Sequence, residues 1–119
     1  MKGKIGFRYA IEGLIAVCES EWNFRFHLSA TVVGLIPGFA FKLSPMEWTM
    51  IILVIGMVLI CELINTVIEK LIDYLKPEIH PNAKFIKDAA AGAVLVSAIC
   101  AAIVGCLIFL PKALTYFSG

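Results

Sequence analysis

The sequence predicts an all-α integral membrane protein, with three transmembrane helices preceded by an N-terminal amphipathic helix. Of its 119 residues, 61% are hydrophobic and 16% are charged, against roughly 45–50% apolar and 25% charged in soluble domains. A soluble chain of this length cannot bury so much apolar surface, because small domains have a high surface-to-volume ratio. Ten Lys and Arg balance nine Asp and Glu, and this absence of a basic excess excludes nucleic acid as an expected partner.

The N-terminal helix is predicted over residues 5–24. Its apolar side chains recur at helical spacing, at Phe7, Ile11, Leu14, Ile15, Cys18 and Trp22. Such a helix is expected to lie along the membrane surface, and the alternative is that it packs against the other helices. Acidic residues interrupt this apolar pattern, so no signal peptide is expected here.

Three spans are predicted, over residues 25–43, 45–75 and 84–111. The third is the clearest, because residues 89–111 form a run of 23 uncharged residues. At about 1.5 Å per residue this run is ~35 Å long, enough for a ~30 Å hydrocarbon core. The second span is continuously apolar from Trp48 to Cys61. The first is the weakest, because only 14 uncharged residues run from Leu28 to Phe41.

The distribution of Lys and Arg predicts the orientation of these spans. With three spans, eight basic residues fall on one side of the membrane and two on the other, so the N-terminus is expected to be cytoplasmic. The eight are Lys2, Lys4, Arg8, Arg25, Lys70, Lys76, Lys84 and Lys87, and the two are Lys42 and Lys112. The chain is then a multi-pass protein in a single membrane-embedded domain, residues 1–119.

The most informative segment is a polar stripe on the second span: Glu62, Asn65, Glu69 and Asp73. At 100° per residue, these side chains fall within about 80° of one helix face. Charged residues within a membrane usually face the protein interior or a polar cavity. Three unpaired carboxylates would repel one another, and hard oxygen ligands favour Mg²⁺ or Ca²⁺ as the ion that relieves the repulsion.

Two alternatives stay open at this point. The stripe can be a solvated helix end whose acids pair with Lys70 and Lys76, although this explains Asp73 better than Glu62. Lys87 and Asp88, just before the third span, can be snorkelling side chains or contacts for phosphate and metal. The residue pattern itself does not choose between an ion pathway and a phosphoryl-transfer site.

Two segments carry a family resemblance: ELINTVIEKLID at residues 62–73 and KDAAAGAVL at residues 87–95. FRYAIEGL at residues 7–14 and ESEWNFRFH at residues 19–27 support it. With these segments the chain resembles the small bacterial membrane kinases of the diacylglycerol kinase family, particularly their undecaprenol kinase branch in Gram-positive bacteria. The resemblance covers nearly the whole chain.

The resemblance implies a homotrimer in the bacterial plasma membrane, with three spans and a surface helix in each subunit. The implied reaction moves the γ-phosphate of ATP to the hydroxyl of a membrane lipid, with Mg²⁺ as the cofactor. Glu21, Asn23 and His27 match the undecaprenol kinase branch, so undecaprenol is the favoured lipid and diacylglycerol the alternative.

The resemblance also implies residue roles. Glu62 matches the catalytic base that takes the proton of the lipid hydroxyl, and Glu69 matches a magnesium ligand. The expected ATP-binding residues are Tyr9, Asn65, Glu69, Asp73, Lys87 and Asp88. Where the diacylglycerol kinase branch has a second metal-binding Glu, this chain has His27, and His is a poor Mg²⁺ ligand. Glu21 is therefore expected to supply the second ligand, or else His27 contacts ATP directly.

A non-enzymatic ion carrier or scaffold is the alternative of another class. The Lys87–Asp88 pair and the surface helix disfavour it, because an ion pathway needs neither. The third span carries the small-residue pairs Ala98–Ala102 and Ala101–Gly105. Such pairs permit close helix contacts in a membrane, either between subunits of a trimer or within one subunit.

Overall fold

The computed structural model describes residues 6–76 and 78–118, and these form four α-helices and no strand. The helices are α1 (Gly6–Ser20), α2 (Trp22–Ala40), α3 (Pro45–Leu75) and α4 (Pro81–Ser118). Within the described ranges, α3 and α4 are long and apolar enough to cross a membrane. Residue 5, the expected start of the first helix, and Lys2 and Lys4 of the orientation count lie outside the described residues.

The helix is interrupted between α1 and α2 at Glu21, whose backbone is extended at φ −115° and ψ 110°. The predicted single helix through residue 24 is therefore divided, and α2 begins three residues before the predicted first span. Arg25 accounts for the break, because its Nη1 donates to the carbonyl oxygens of Cys18 (3.0 Å) and Glu19 (2.9 Å). These carbonyls at the end of α1 have no partner within the helix.

The start of α3 is specified by a capping box. Ser44 Oγ accepts from the Glu47 backbone N–H at 3.2 Å, and Glu47 Oε1 accepts from the Ser44 N–H at 2.9 Å. Pro45 occupies the first turn, where its missing N–H is no loss. These signals explain why α3 begins at Pro45.

The last helix continues through Pro111 to Ser118, beyond the predicted end of the span at residue 111. An internal proline removes one hydrogen bond of the helix, so a helix is expected to end near Pro111. Beyond it, however, Tyr116 packs edge-on against Phe41 of the α2–α3 connection, with ring centroids 5.8 Å apart. This contact gives the final turns a tertiary partner.

The packing centres on α3 and α4, which form the most extensive helix contact; α2 packs against α3, and α1 against α2. A small core of Leu43, Ile51 and Ile108 lies far from the polar stripe. At that end Gly38 permits close packing, because a Cβ there would lie 2.7 Å from the Trp48 ring. Most large apolar side chains of the described residues remain exposed, as expected for surfaces that lipid or other chains cover.

Candidate active site

The polar stripe of α3 faces its neighbouring helices where it is deepest in the bundle. Glu62 is 3% exposed and Asn65 is 6% exposed, and Thr66 beside them is also buried. Glu69 is half-buried and Asp73 is exposed. Solvent exposure along the stripe therefore increases from the buried Glu62 to the exposed Asp73, over about 16 Å of helix.

Glu62 meets a histidine from the neighbouring helix. His27 Nε2 of α2 lies 3.5 Å from Glu62 Oε2 of α3. A buried carboxyl group is costly unless it is paired or neutral, and the His27 ring nitrogen is placed to be its partner. The structure thus brings together two residues that lie 35 positions apart in the sequence, and it puts His27 next to the expected base rather than next to Glu69.

Asn65 joins the middle of the stripe to Glu69, because its Nδ2 donates to Glu69 Oε1 at 2.7 Å. The carboxylate can only accept, so this bond also decides which way the amide points. Asn65 Oδ1 is then left buried without a hydrogen-bond partner. An unsatisfied buried acceptor costs about 1–3 kcal/mol, and a hydroxyl, a water or a metal ion would satisfy it.

A cleft of about 320 Å³ opens where α3 ends and α4 begins. Lys87 Nζ donates to Asp73 Oδ1 at 2.8 Å across this cleft. Its neighbour Asp88 pairs instead with Lys84, one turn earlier on α4. The cleft thus carries three lysines, three carboxylates and a histidine on its walls, a charge pattern suited to a phosphate chain and its counter-ion.

Glu21 and Tyr9 are placed differently from these residues. Glu21, at the α1–α2 break, pairs with Lys70 of α3 at 3.3 Å, and so contacts the residue that follows Glu69 in the sequence. Tyr9 is half exposed on α1, outside all of these contacts. The ion pairs also disfavour the alternative of a solvated helix end: Lys70 pairs with Glu21, and Lys76 pairs with Glu78 at 3.7 Å.

In residues 6–76 and 78–118, no three His, Cys, Asp or Glu side chains converge as a ready metal cage. This still fits Mg²⁺, which is usually held by one or two carboxylates together with substrate phosphates and water. Glu69, Glu21 and the free Asn65 oxygen are hard oxygen donors of the required kind.

Several polar residues at this site were not singled out from the sequence as site residues, among them Thr66, Lys70 and Lys84. The spacing of Lys84 and Asp88, four residues apart on a helix, is a local signal that predicts their pairing. The contact of Lys70 with Glu21 joins distant segments, so no local pattern indicates it.

Comparison with known proteins assigns the family. The prokaryotic diacylglycerol kinase family matches residues 8–109. An undecaprenol kinase of Bacillus subtilis is 47% identical over 106 residues, which cover 89% of this chain and 86% of that protein. A diacylglycerol kinase of Synechocystis is 36% identical over 112 residues, covering 93% of this chain and 64% of that protein. A diacylglycerol kinase of Pseudomonas aeruginosa is 31% identical over 103 residues, which cover 81% of this chain and 84% of that protein. The chain therefore belongs to the prokaryotic diacylglycerol kinase family.

Proposed function

We propose that this protein is a membrane lipid kinase that transfers the γ-phosphate of ATP to the hydroxyl of undecaprenol. The observation that carries the proposal is the polar stripe of α3, which connects the buried Glu62 to the charged cleft around Lys87. The identity to the Bacillus undecaprenol kinase, 47% over 106 residues, exceeds that to the diacylglycerol kinases, which is 43% over 91 residues at the highest and 31% at the lowest, and this favours the polyprenol as substrate.

In this proposal Glu62 is the general base. It takes the proton from the lipid hydroxyl as that oxygen forms a bond to the γ-phosphorus, and the bond from phosphorus to the bridging oxygen of ADP breaks. The products are undecaprenyl phosphate and ADP, and the proton passes from Glu62 to water. The depth of Glu62 suits this role, because the hydroxyl belongs to a lipid and arrives from the bilayer.

The nucleotide lies at the open end of the stripe, because its charge excludes it from the hydrocarbon region. Lys87 supplies a positive charge to the phosphates, while Asp73, Asp88 and Asn65 line their path. Tyr9 joins the site only if α1 folds over the cleft. His27, in contact with Glu62, is closer to the lipid hydroxyl than to the nucleotide.

Glu69 and Glu21 are the residues that would hold Mg²⁺, with the free Asn65 oxygen beside them. When bound between protein and phosphates, the ion supplies neutralisation of the charge on the transferring group. Glu21 is paired with Lys70 in the structure, so it would have to release this lysine in order to bind the ion. His27 is not assigned to the metal.

The membrane arrangement belongs to the same proposal: α2, α3 and α4 cross the plasma membrane, α1 lies on its cytoplasmic surface, and three copies form the enzyme. Impermeant thiol labelling of Lys76→Cys and Lys42→Cys, in a cysteine-free background, tests the orientation. Residue 76 should be labelled only from the cytoplasmic side and residue 42 only from the other. Cross-linking in native membranes should stop at trimer; a limit at dimer would contradict it.

A lipid panel tests the function itself. Purified protein in detergent or vesicles receives Mg-ATP with undecaprenol, with diacylglycerol, or with no lipid. Undecaprenol should give the highest kcat/KM. A preference for diacylglycerol would assign the same chemistry to the other lipid, and a failure to phosphorylate either lipid would favour the non-enzymatic alternative.

A further inference from the structure

An apolar groove follows the line where α2, α3 and α4 meet. Its volume is about 580 Å³, and along α2 it extends from His27 to Phe41, roughly 21 Å at about 1.5 Å per residue. Among the described residues that line it, His27 is the one that is titratable. The Thr31 hydroxyl donates to the His27 carbonyl at 2.9 Å, so its hydrogen is already used. The groove therefore has apolar walls and a single polar end.

The width of the groove comes from six small residues: Ala30, Gly34, Ala98, Ala101, Ala102 and Gly105. A Cβ built on Gly34 or on Gly105 meets nothing within 4 Å. At Gly38, by contrast, the Trp48 ring occupies that space. Packing within the chain thus requires a glycine at position 38, whereas at positions 34 and 105 the missing side chains leave open space.

The shape of the groove selects its occupant. It is about 21 Å long, it is lined by apolar side chains, and it ends beside one polar side chain. This form suits a single hydrocarbon chain with a polar head; a helix from a second copy is the other apolar occupant, and the oligomeric mass of the leucine variants below distinguishes the two. The polar end is His27, whose imidazole contacts Glu62, so the occupant carries one polar group at the end of an apolar chain.

We propose that this groove receives the hydroxyl-proximal part of a polyprenyl chain, and that Gly34 and Gly105 leave the width its methyl branches require. The assignment rests on the proposed kinase function and adds to it a specificity determinant. A straight acyl chain lacks these branches. It would leave part of a wide groove unfilled and would therefore make fewer van der Waals contacts with the walls than a polyprenyl chain does.

Gly34→Leu and Gly105→Leu test the proposal, with Gly56→Leu as the matched control. Gly56 lies within α3, has nothing within 4 Å of a built Cβ and is outside the groove lining. Each groove variant should raise the KM for undecaprenol about tenfold or more, because several buried methylene groups are displaced. The KM for ATP and the control variant should match the parent. An unchanged undecaprenol KM, or an equal rise in the control, would overturn the assignment.

A chain-length series on the unsubstituted protein provides a measurement that does not depend on variant folding. The kcat/KM of prenols should rise until the extended chain is roughly 21 Å long and then level off. No dependence on length, or a change of oligomeric mass without a change of lipid KM in the leucine variants, would overturn the groove assignment. If the parent phosphorylates no polyprenol, the proposed function fails too; if it does while the leucine variants keep its KM, only the groove assignment fails.

Discussion

His27 Nε2 lies 3.5 Å from Glu62 Oε2, across the contact between α2 and α3. This pair joins the apolar groove to the polar stripe, because His27 lines the first and Glu62 begins the second. The carboxyl group is buried and the imidazole is partly exposed. A lipid hydroxyl at the end of the groove would therefore meet the carboxyl group and the imidazole together.

Glu62→Gln is expected to abolish transfer and leave the fold intact. The amide has the same shape but cannot accept the proton, and loss of a general base typically costs ~10²–10⁴ in rate. The kcat with undecaprenol and the melting temperature in detergent are the measurements. Glu47→Gln is the control, because Glu47 pairs with Lys112 at the other end of the bundle and Gln also serves in a capping box. Activity above a tenth of the parent's would refute the base assignment.

Glu69→Ala is expected to raise the Mg²⁺ concentration that half-saturates the reaction. Loss of even an indirect partner of a metal ligand typically costs ~10–100-fold in affinity, so a shift of at least about tenfold is expected. A Mg²⁺ titration at saturating ATP measures it. If the rate falls while the titration curve keeps its midpoint, Glu69 acts only by accepting the Asn65 hydrogen bond.

Lys87→Met is expected to raise the KM for ATP by about tenfold or more, since a charged hydrogen bond contributes about 1.5–3 kcal/mol. Methionine keeps much of the side-chain length and removes the charge. The KM for the lipid should stay constant. Lys112→Met provides the comparison, because Lys112 also pairs with an acid on α3, but far from the cleft. Equal effects of the two variants on ATP would mean that Lys87 only ties α4 to α3.

Gly38→Ala is expected to destabilise the fold by about 1–3 kcal/mol, the usual cost of overpacking. The added Cβ would lie 2.7 Å from the Trp48 ring, and the ring cannot retreat without disturbing the contact with Phe39. Thermal unfolding in detergent measures the loss. The same change at Gly56, where nothing is near, should stabilise by about 0.5–1 kcal/mol. The smaller ring of Trp48→Phe should rescue Gly38→Ala; without that rescue, the clash is not the cause.

The sequence was most informative where local signals dominate. Ser44, Pro45 and Glu47 specify the start of α3 through contacts within one turn, and helical periodicity alone places the four stripe residues on one face. The break at Glu21 was not predicted, because it depends on Arg25 turning back onto two carbonyl groups of the preceding helix. The pairing of His27 with Glu62 was also beyond local patterns, since it requires α2 to pack against α3 in one particular register.

The α3–α4 pair also bears on how the chain enters a membrane. Ion pairs join the two helices near both ends, through Lys87 with Asp73 and Lys112 with Glu47, and a short connection holds them side by side. Two adjacent apolar helices of this kind can insert as a helical hairpin, with each shielding polar groups of the other from lipid. The less apolar α2 carries Arg25 and His27, so in the proposed three-span arrangement its insertion would depend on the hairpin. Biogenesis would then proceed from the C-terminal half of the chain, opposite to the order of synthesis.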